Sequence, residues 1–364
     1  VVVTVAEMWI NIGPSHPSTH GLWDLRIKVS GEVIVDADPQ VGYLHRSVEK
    51  ILERKEFLMG MPITERLCYV ANMNWTHLYI HGVEKLMNLE IPDRAKYIRV
   101  IVCELNRIAS HLFWLGAYVH DIGNLTMFLW PIREREYVLD LLEYLTGARM
   151  MYNYPRIGGQ VKDVDDKFLR RTKIVCDMIN ERTNTYERFL DENTPWHVRT
   201  KGVGVIDKAM AKNAGLTGPS LRASGVDFDV RKATPYWAYD RLDFDVPVYD
   251  EGDCWARYRV RLEEIRESCR MVKQAVDDLP AGDYIGKAPR VAPKTTAWVR
   301  HEDPRGESMC FVMGTGGKNP YRVKFRSPAF VNISALPLML LGFKVADVPG
   351  IMGSIDVCIG EVDR

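Results

Sequence analysis

Three stretches of this chain put acid–base side chains where the backbone would hold them. The first is Gly13-Pro14-Ser15-His16-Pro17-Ser18-Thr19-His20-Gly21. Two imidazoles and two prolines stand in a turn between strand-like runs, a setting that can aim side chains into a cleft. Four-residue spacing in a non-helical loop does not bring both rings to one face, so a His/His metal site is poorly served. One imidazole could instead donate a proton to a small molecule, because its ordinary pKa of about 6.5 suits that transfer. Capping the turn is the commoner use of such residues.

The second stretch is Thr64-Glu65-Arg66-Leu67-Cys68-Tyr69-Val70. A Tyr phenol can give a proton to a reduced carbonyl oxygen, and Arg66 is a permanent cation that could raise the potential of a nearby redox centre or pair with Glu65. The plainer alternative is an amphipathic core aromatic beside solvated charges. The third is Val119-His120-Asp121-Ile122-Gly123-Asn124, at the end of a long apolar helix. Paired with an imidazole, Asp121 would raise that ring's pKa and fix its tautomer; otherwise it is a solvated helix end. His77 and His81 have helical metal-ligand spacing but no third ligand nearby, and read as surface or packing histidines. The turn Tyr152-Asn153-Tyr154-Pro155-Arg156-Ile157-Gly158-Gly159 could hold an anion, though a structural turn is the simpler reading. Glu181-Arg182 and the run Arg257 to Arg270 read as solvated helix faces.

The elements that would carry these residues follow from periodicity. Val1–Val5 reads as a strand, not a secretion signal, and a start without Met reads as trimmed. Leu22–Val29 alternates and turns at Ser30-Gly31 into Glu32–Val35, a hairpin. Helical spacing begins at Gly42, with Leu44, Val48, Ile51 and Leu52 on one face. Helices are predicted over Thr64–Leu89, from Asp93 as N-cap through Asp121, and over 133–147, 163–191 and 256–278. Residues 192–253 read as loops with short elements. A second hairpin joins Cys310–Met313 to Tyr321–Phe325. This is an α+β, predominantly α-helical chain: an N-terminal β lobe over 1–40, a helical core over 41–280, and a mixed C-terminal extension over 281–364, together one structural unit. No Gly-rich dinucleotide fingerprint follows a strand.

Composition narrows the partners. The chain has 364 residues, with 48 Lys and Arg against 48 Asp and Glu, which argues against a nucleic-acid partner held by bulk charge. The seven cysteines (68, 103, 176, 254, 269, 310, 358) stand no closer than fifteen residues apart, so no local C-x-x-C cage exists and a secreted disulfide scaffold is disfavoured. The longest apolar stretch, Ala335–Ile351, holds Pro337, Lys344, Asp347 and Pro349 and cannot span a bilayer.

Taken together, several segments carry a resemblance. The His16/His20 turn, Gly42-Tyr43-Leu44-His45-Arg46, Tyr97-Ile98-Arg99-Val100, Asp121-Ile122-Gly123 and Arg133-Glu134-Arg135-Glu136 lead the series. Arg156-Ile157-Gly158-Gly159, Leu221-Arg222-Ala223-Ser224-Gly225, Pro328-Ala329-Phe330 and Gly360-Glu361-Val362-Asp363-Arg364 complete it. In this order they resemble the 49-kilodalton (D-type) subunit of respiratory complex I and its plastid, cyanobacterial and archaeal relatives. The resemblance implies a helical bundle core with small β lobes near both termini, like the nickel–iron hydrogenase large subunit. It implies a cleft shared with a small B-type partner that carries the terminal tetranuclear iron–sulfur cluster, with C-type and membrane-arm H-type neighbours. A quinone or methanophenazine would enter from the membrane, and the whole complex would couple electron transfer to ion translocation. His20 and Tyr69 match the family's head-group ligands, with His16 beside them. Asp121 matches the carboxylate paired with His20, and Arg66 a cation near the partner's cluster. The chain itself would hold no cofactor or metal and would sit on the cytoplasmic face of a prokaryotic membrane. NADH, ferredoxin or a reduced deazaflavin all remain possible donors, with an archaeal deazaflavin-dependent complex an attractive case.

Two departures are informative. The related hydrogenases bind their metals through Glu-Arg-x-Cys-x-x-Cys and Asp-Pro-Cys-x-x-Cys-x-x-His. Here Cys68 and Cys358 remain, Ala71 and Glu361 replace the other two cysteines, and Arg364 ends the chain, so a nickel–iron site is not expected. A hydrogenase-like catalytic subunit and a non-catalytic docking scaffold are the alternatives to quinone reduction. Mitochondrial members often carry a His just after Gly147-Ala148-Arg149-Met150, near the cluster; this chain has Met151. The partner cluster should then lack one pH-dependent neighbour, which suits a low-potential acceptor such as menaquinone or methanophenazine. The expected outcome is a cluster midpoint potential that changes little with pH. A redox titration showing a steep dependence would overturn it.

Overall fold

The computed structural model describes residues 6–364. The strand expected at Val1–Val5 lies outside the described residues. Strand β1 (Glu7–Ile12) leads through the two-residue strands β2 (Ser15–His16) and β3 (Gly21–Leu22) into β4 (Asp24–Ser30) and β5 (Val33–Gln40). The sheet is antiparallel in the order β1-β4-β5. Leu25, Ile27 and Val29 alternate inward along β4 and are buried against the helical core, while Arg26 faces solvent. The first expected hairpin is present, turning at Gly31 in a left-handed conformation that a side chain would disfavour.

The helical core opens with α1 (Val48–Glu53), α2 (Phe57–Thr64), α3 (Asn72–Leu86), α4 (Asp93–Asp121) and α5 (Leu125–Thr146). The small hairpin β6 (Pro155–Arg156) and β7 (Gly159–Gln160) precedes α6 (Asp166–Asp191). Four short helices follow, α7 (Thr194–Thr200), α8 (Lys208–Asn213), α9 (Pro219–Arg222) and α10 (Val230–Ala233), before the long α11 (Cys254–Asp277). A second antiparallel sheet, β8 (Thr296–Asp303), β9 (Gly306–Gly314) and β10 (Pro320–Arg326), packs on α3. The chain closes with α12 (Pro328–Ser334), α13 (Leu336–Leu340), α14 (Val348–Ser354) and α15 (Ile359–Asp363). No helix among the described residues is long and apolar enough to cross a membrane. The fold is α+β and predominantly helical, as expected.

Several boundaries differ from the sequence-based expectation. The helix expected over Thr64–Leu89 is broken: residues 65–71 form a loop, drawn out of helical register to meet the C-terminal segment. Arg46 Nη2 donates to the Arg66 carbonyl at 2.8 Å and to the Gly360 carbonyl at 3.2 Å, tying the two together. Around Leu44 only Val48–Glu53 is helical, and Ile51 faces outward. Helix α5 starts at Leu125, well before 133, because Asn124 Oδ1 caps it at the Met127 N–H (3.0 Å) and the helix runs on through Pro131. Asp93 lies in the first turn of α4, not at its cap. Strand β8 had no signal and joins the second hairpin as an outer strand.

The charged face of α11 is not simply solvated. Arg257 and Arg261 are buried and bind the end of α14, Arg257 through Ser354 Oγ at 2.9 Å and Arg261 through the Ser354 carbonyl at 2.8 Å. Arg259, Arg266 and Arg270 are partly exposed and pair with acids, Arg259 and Arg266 with Glu187 on α6 and Arg270 with Asp243 and Asp245 in the loop before α11. His77 is fully buried and His81 partly so: His77 Nδ1 meets the Met73 carbonyl at 2.8 Å and His81 Nδ1 meets His301 Nε2 at 2.7 Å.

Helix α4 is the axis of the core and is buried nearly all round. Its apolar stripe packs in the main core, and its polar stripe enters an interior ion network. Glu104 accepts from Arg107 Nε (3.0 Å), Arg231 Nη1 (3.2 Å), Tyr239 Oη (2.6 Å) and Ser268 Oγ (2.7 Å). Burial would push this carboxyl up, but Arg107 and Arg231 outweigh it and hold it at about 2. Its stabilisation is therefore full above the ordinary 4.5 and fades as pH falls toward 2. Glu104→Ala would leave the Arg107 guanidinium buried without its carboxylate and Arg231 with Asp229 alone, at a cost of about 3–5 kcal/mol. Denaturant unfolding is expected to show that loss, whereas Ser268→Ala should cost far less.

Candidate functional site

The loop after β1 is built to hold His20 rigidly. His16 Nδ1 accepts from the Ser18 N–H at 3.2 Å, and Thr19 Oγ1 donates to the His16 carbonyl at 2.6 Å. Trp23 Nε1 donates to the Thr19 carbonyl at 2.7 Å and anchors the turn in the core. His20 follows in a left-handed conformation (φ 51°), which points its ring back toward the end of α4. There His20 Nε2 lies 2.7 Å from Asp121 Oδ2. Helix α14 packs against this end of α4 so closely that a Cβ on Gly353 would meet Tyr118 at 2.8 Å and Asp121 Oδ2 at 3.0 Å. Burial draws the His20 pKa down; the hydrogen bond and charge of Asp121, helped by Asp356, outweigh it and leave it raised above 6.5.

Tyr69 arrives from the loop between α2 and α3. A Cβ on Gly360 would meet the Leu67 carbonyl at 2.5 Å and the Tyr69 ring at 3.3 Å, so only glycine lets the two segments close. The neighbouring sulfur of Cys358, and then burial, push the Tyr69 phenol well above its ordinary value, so it stays protonated. His20, Tyr69, Phe113, Arg305, Asp356 and Cys358 line one cavity of about 30 Å³. That volume is water-sized.

Of the residues singled out from sequence, the structure brings together His20, Tyr69 and Asp121. His16 is exposed and caps its own turn; it does not line the cavity. Arg66 is exposed on the outer side of the loop, its guanidinium donating to the Pro62 carbonyl. Glu65 beside it is pushed up to about 7 by burial, and the Asn153 N–H donates to it.

Sequence reasoning missed Arg305 and the part played by Asp356. Arg305 stands in no motif, and Asp356 figures in the sequence only as the first residue of a degenerate metal motif. The two cysteines of that motif meet: Cys68 Sγ, Cys358 Sγ and a Glu361 carboxylate oxygen all lie within 4.8 Å of one another. Glu361 and Cys68 are already engaged. Glu361 accepts from Trp75 Nε1 (3.0 Å), Ser327 Oγ (3.2 Å) and the Ala329 N–H (3.1 Å). Cys68 Sγ accepts from the Ala71 N–H and from Arg305 Nη1, both at 3.4 Å. The cluster is a buried knot that seats the loop of Tyr69 on the C-terminal segment.

A mainly helical chain that gathers an imidazole–carboxylate pair and a protonated phenol at one cavity fits the class of respiratory-chain oxidoreductase subunits. The profile of the family described as "Respiratory-chain NADH dehydrogenase, 49 Kd subunit" matches residues 121–296 and 290–364. The chain is 46% identical over 358 residues to the D-type subunit of NADH-quinone oxidoreductase from Dehalococcoides mccartyi, covering 98% of each. It is 44% identical over 366 residues to the subunit of the same name from Geobacillus kaustophilus, covering 100% of each, and 44% identical over 365 residues to the one from Bacillus anthracis, again covering 100% of each. The chain belongs to the 49 Kd subunit family of respiratory-chain NADH dehydrogenase, and is a core subunit of a complex I-type oxidoreductase.

The His20–Asp121 contact yields a prediction with a definite sign. A raised imidazole pKa means that the pair's stabilisation is full below 6.5 and is lost as pH rises through the folded-state value. Asp121→Asn removes the charge that raises it. In Asp121→Asn the His20 imidazole is expected to lose its proton at lower pH, read as an NMR titration of its ring.

Proposed function

We propose that this chain forms the quinone-reduction site of its complex, beside the terminal tetranuclear iron–sulfur cluster of a B-type partner subunit. The observation that carries the reading is the convergence of His20, paired with Asp121, and Tyr69 on one cavity. Quinone reduction takes two electrons and two protons. The partner's cluster supplies the electrons. His20 donates at one head-group oxygen and Tyr69 at the other, each stabilising negative charge where it develops. The Asp121 carboxylate keeps the imidazole charged until its proton is needed and fixes which ring nitrogen faces the head group. Phe113, 38% exposed, borders the cavity, and a volume of about 30 Å³ admits only the edge of a head group, the rest of which would lie in the cleft shared with the partner subunit.

The remaining parts of the reading follow from family membership. The C-type and H-type subunits are its neighbours, the complex sits on the cytoplasmic face of the membrane, and the whole assembly couples the reaction to ion translocation. The names of the similar bacterial proteins favour NADH as donor and a quinone as acceptor over a deazaflavin and methanophenazine. Arg66 would face the partner's cluster from the exposed side of the Tyr69 loop.

Tyr69→Phe and His20→Ala in the whole complex test the reading. Each removes one proton donor, a loss of about a hundredfold in acceptor reduction. Assembly should be retained. Normal turnover in both variants would favour a docking scaffold, and stoichiometric nickel in the purified chain would favour the hydrogenase-like alternative.

A further inference from the structure

The same cavity holds a second charged pair, Arg305 and Asp356. Arg305, in the tight turn between β8 and β9, is buried, as is Asp356 between α14 and α15. Arg305 Nε donates to the Asp356 carbonyl at 2.9 Å and Nη2 to Asp356 Oδ1 at 3.2 Å, while Nη1 donates to Cys68 Sγ at 3.4 Å. Those contacts use one N–H on each nitrogen, so each terminal nitrogen keeps a second. Asp356 Oδ2 is buried with no hydrogen-bond partner among the described residues, and both residues line the cavity. Asp356 also has a left-handed backbone (φ 53°), as His20 does (φ 51°). Such backbone strain gathers at sites that a surrounding structure holds for a purpose.

Resting on the quinone-reduction reading, we propose that Arg305 binds the head-group oxygen as it becomes negative, and that Asp356 positions Arg305 and holds the charge on His20. Electrons reach the quinone before both protons do, and a fixed, buried guanidinium stabilises the oxygen during that interval at no cost of reorganisation. Two electrons from the complex and two protons, one each from His20 and Tyr69, then complete the quinol; Arg305 keeps its own protons throughout. The other charged or titratable groups that face Arg305 are Asp303 on β8, at 4.0 Å, Glu361 on α15, and the thiols Cys68 and Cys358. Arg107 on α4 faces Asp303, and Arg261 on α11 faces Asp356. Arg305 is the one guanidinium among the cavity's lining residues.

The test uses the assembled complex and a soluble short-chain quinone, comparing Arg305→Met, Arg305→Lys, Asp356→Asn and Tyr69→Phe. Assembly is checked by subunit content and by the cluster's paramagnetic resonance signal. Arg305→Met is expected to lower kcat at least about tenfold with KM within about threefold, and Arg305→Lys to recover part of that loss. Asp356→Asn is expected to lower kcat and to move the alkaline limb of the pH profile to lower pH. If Tyr69→Phe falls but Arg305→Met turns over within about twofold of the parent, this inference fails while the site reading stands. If Tyr69→Phe is normal, the site reading itself fails. Should Arg305→Met not assemble, Asp356→Asn decides: an unchanged kcat and pH profile would overturn the proposal.

Discussion

Glu361 sits at 0% exposure with three donors on its carboxyl, from the start of α3 and the start of α12. Two residues on, Asp363 accepts from the backbone N–H groups of Gly42 (2.8 Å) and Leu44 (2.7 Å). Just before Glu361, Gly360 lets the loop of Tyr69 close on the segment. The C-terminal segment is thus a buried strap across elements from three parts of the chain. Buried polar groups must be satisfied, so once the strap is in place its partners are fixed to within a hydrogen bond. The cavity depends on that closure: the strap meets the Tyr69 loop at Gly360, and Asp356 and Cys358 lead directly into it.

The second dependence is electrostatic. Helix α4 carries a buried ion network along its middle and Asp121 at its end. The network makes α4 costly to rotate or slide, because any shift would separate Glu104 from Arg231, Tyr239 and Ser268, and Arg107 from the Glu302 carbonyl, in a low-dielectric interior. A rigid α4 fixes where Asp121 stands, and Asp121 fixes the His20 ring. The His20 ring is therefore positioned by charges well inside the core, not by its own loop alone.

Much of the architecture was legible in the residues. The long helices followed from apolar spacing, and both hairpins from alternation around Gly31 and Gly316-Gly317. Asp165, Asn193 and Asp253 cap their helices as short acceptors should. What failed did so for tertiary reasons. The pattern from Thr64 to Leu89 has helical periodicity, yet residues 65–71 leave the helix because the C-terminal segment offers them better partners. Arg257 and Arg261 read as surface charge because a sequence shows the donor and not its acceptor; here the acceptors are carbonyls and hydroxyls on α14 and distant loops.

By itself the sequence determined the helical class of the chain, its family, and three residues able to hand on protons: His20, Tyr69 and Asp121. Residue type and motif order suffice for that, since protonation chemistry belongs to the side chain. Only the tertiary structure decided which of the singled-out residues meet. It brought His20 onto Asp121, left His16 and Arg66 facing outward, and joined Cys68 to Cys358 in a knot under Tyr69. It also added Arg305 and Asp356 to the cavity. The reason is that a shared site is set by long-range closure of loops, and no local spacing encodes where two distant loops will touch.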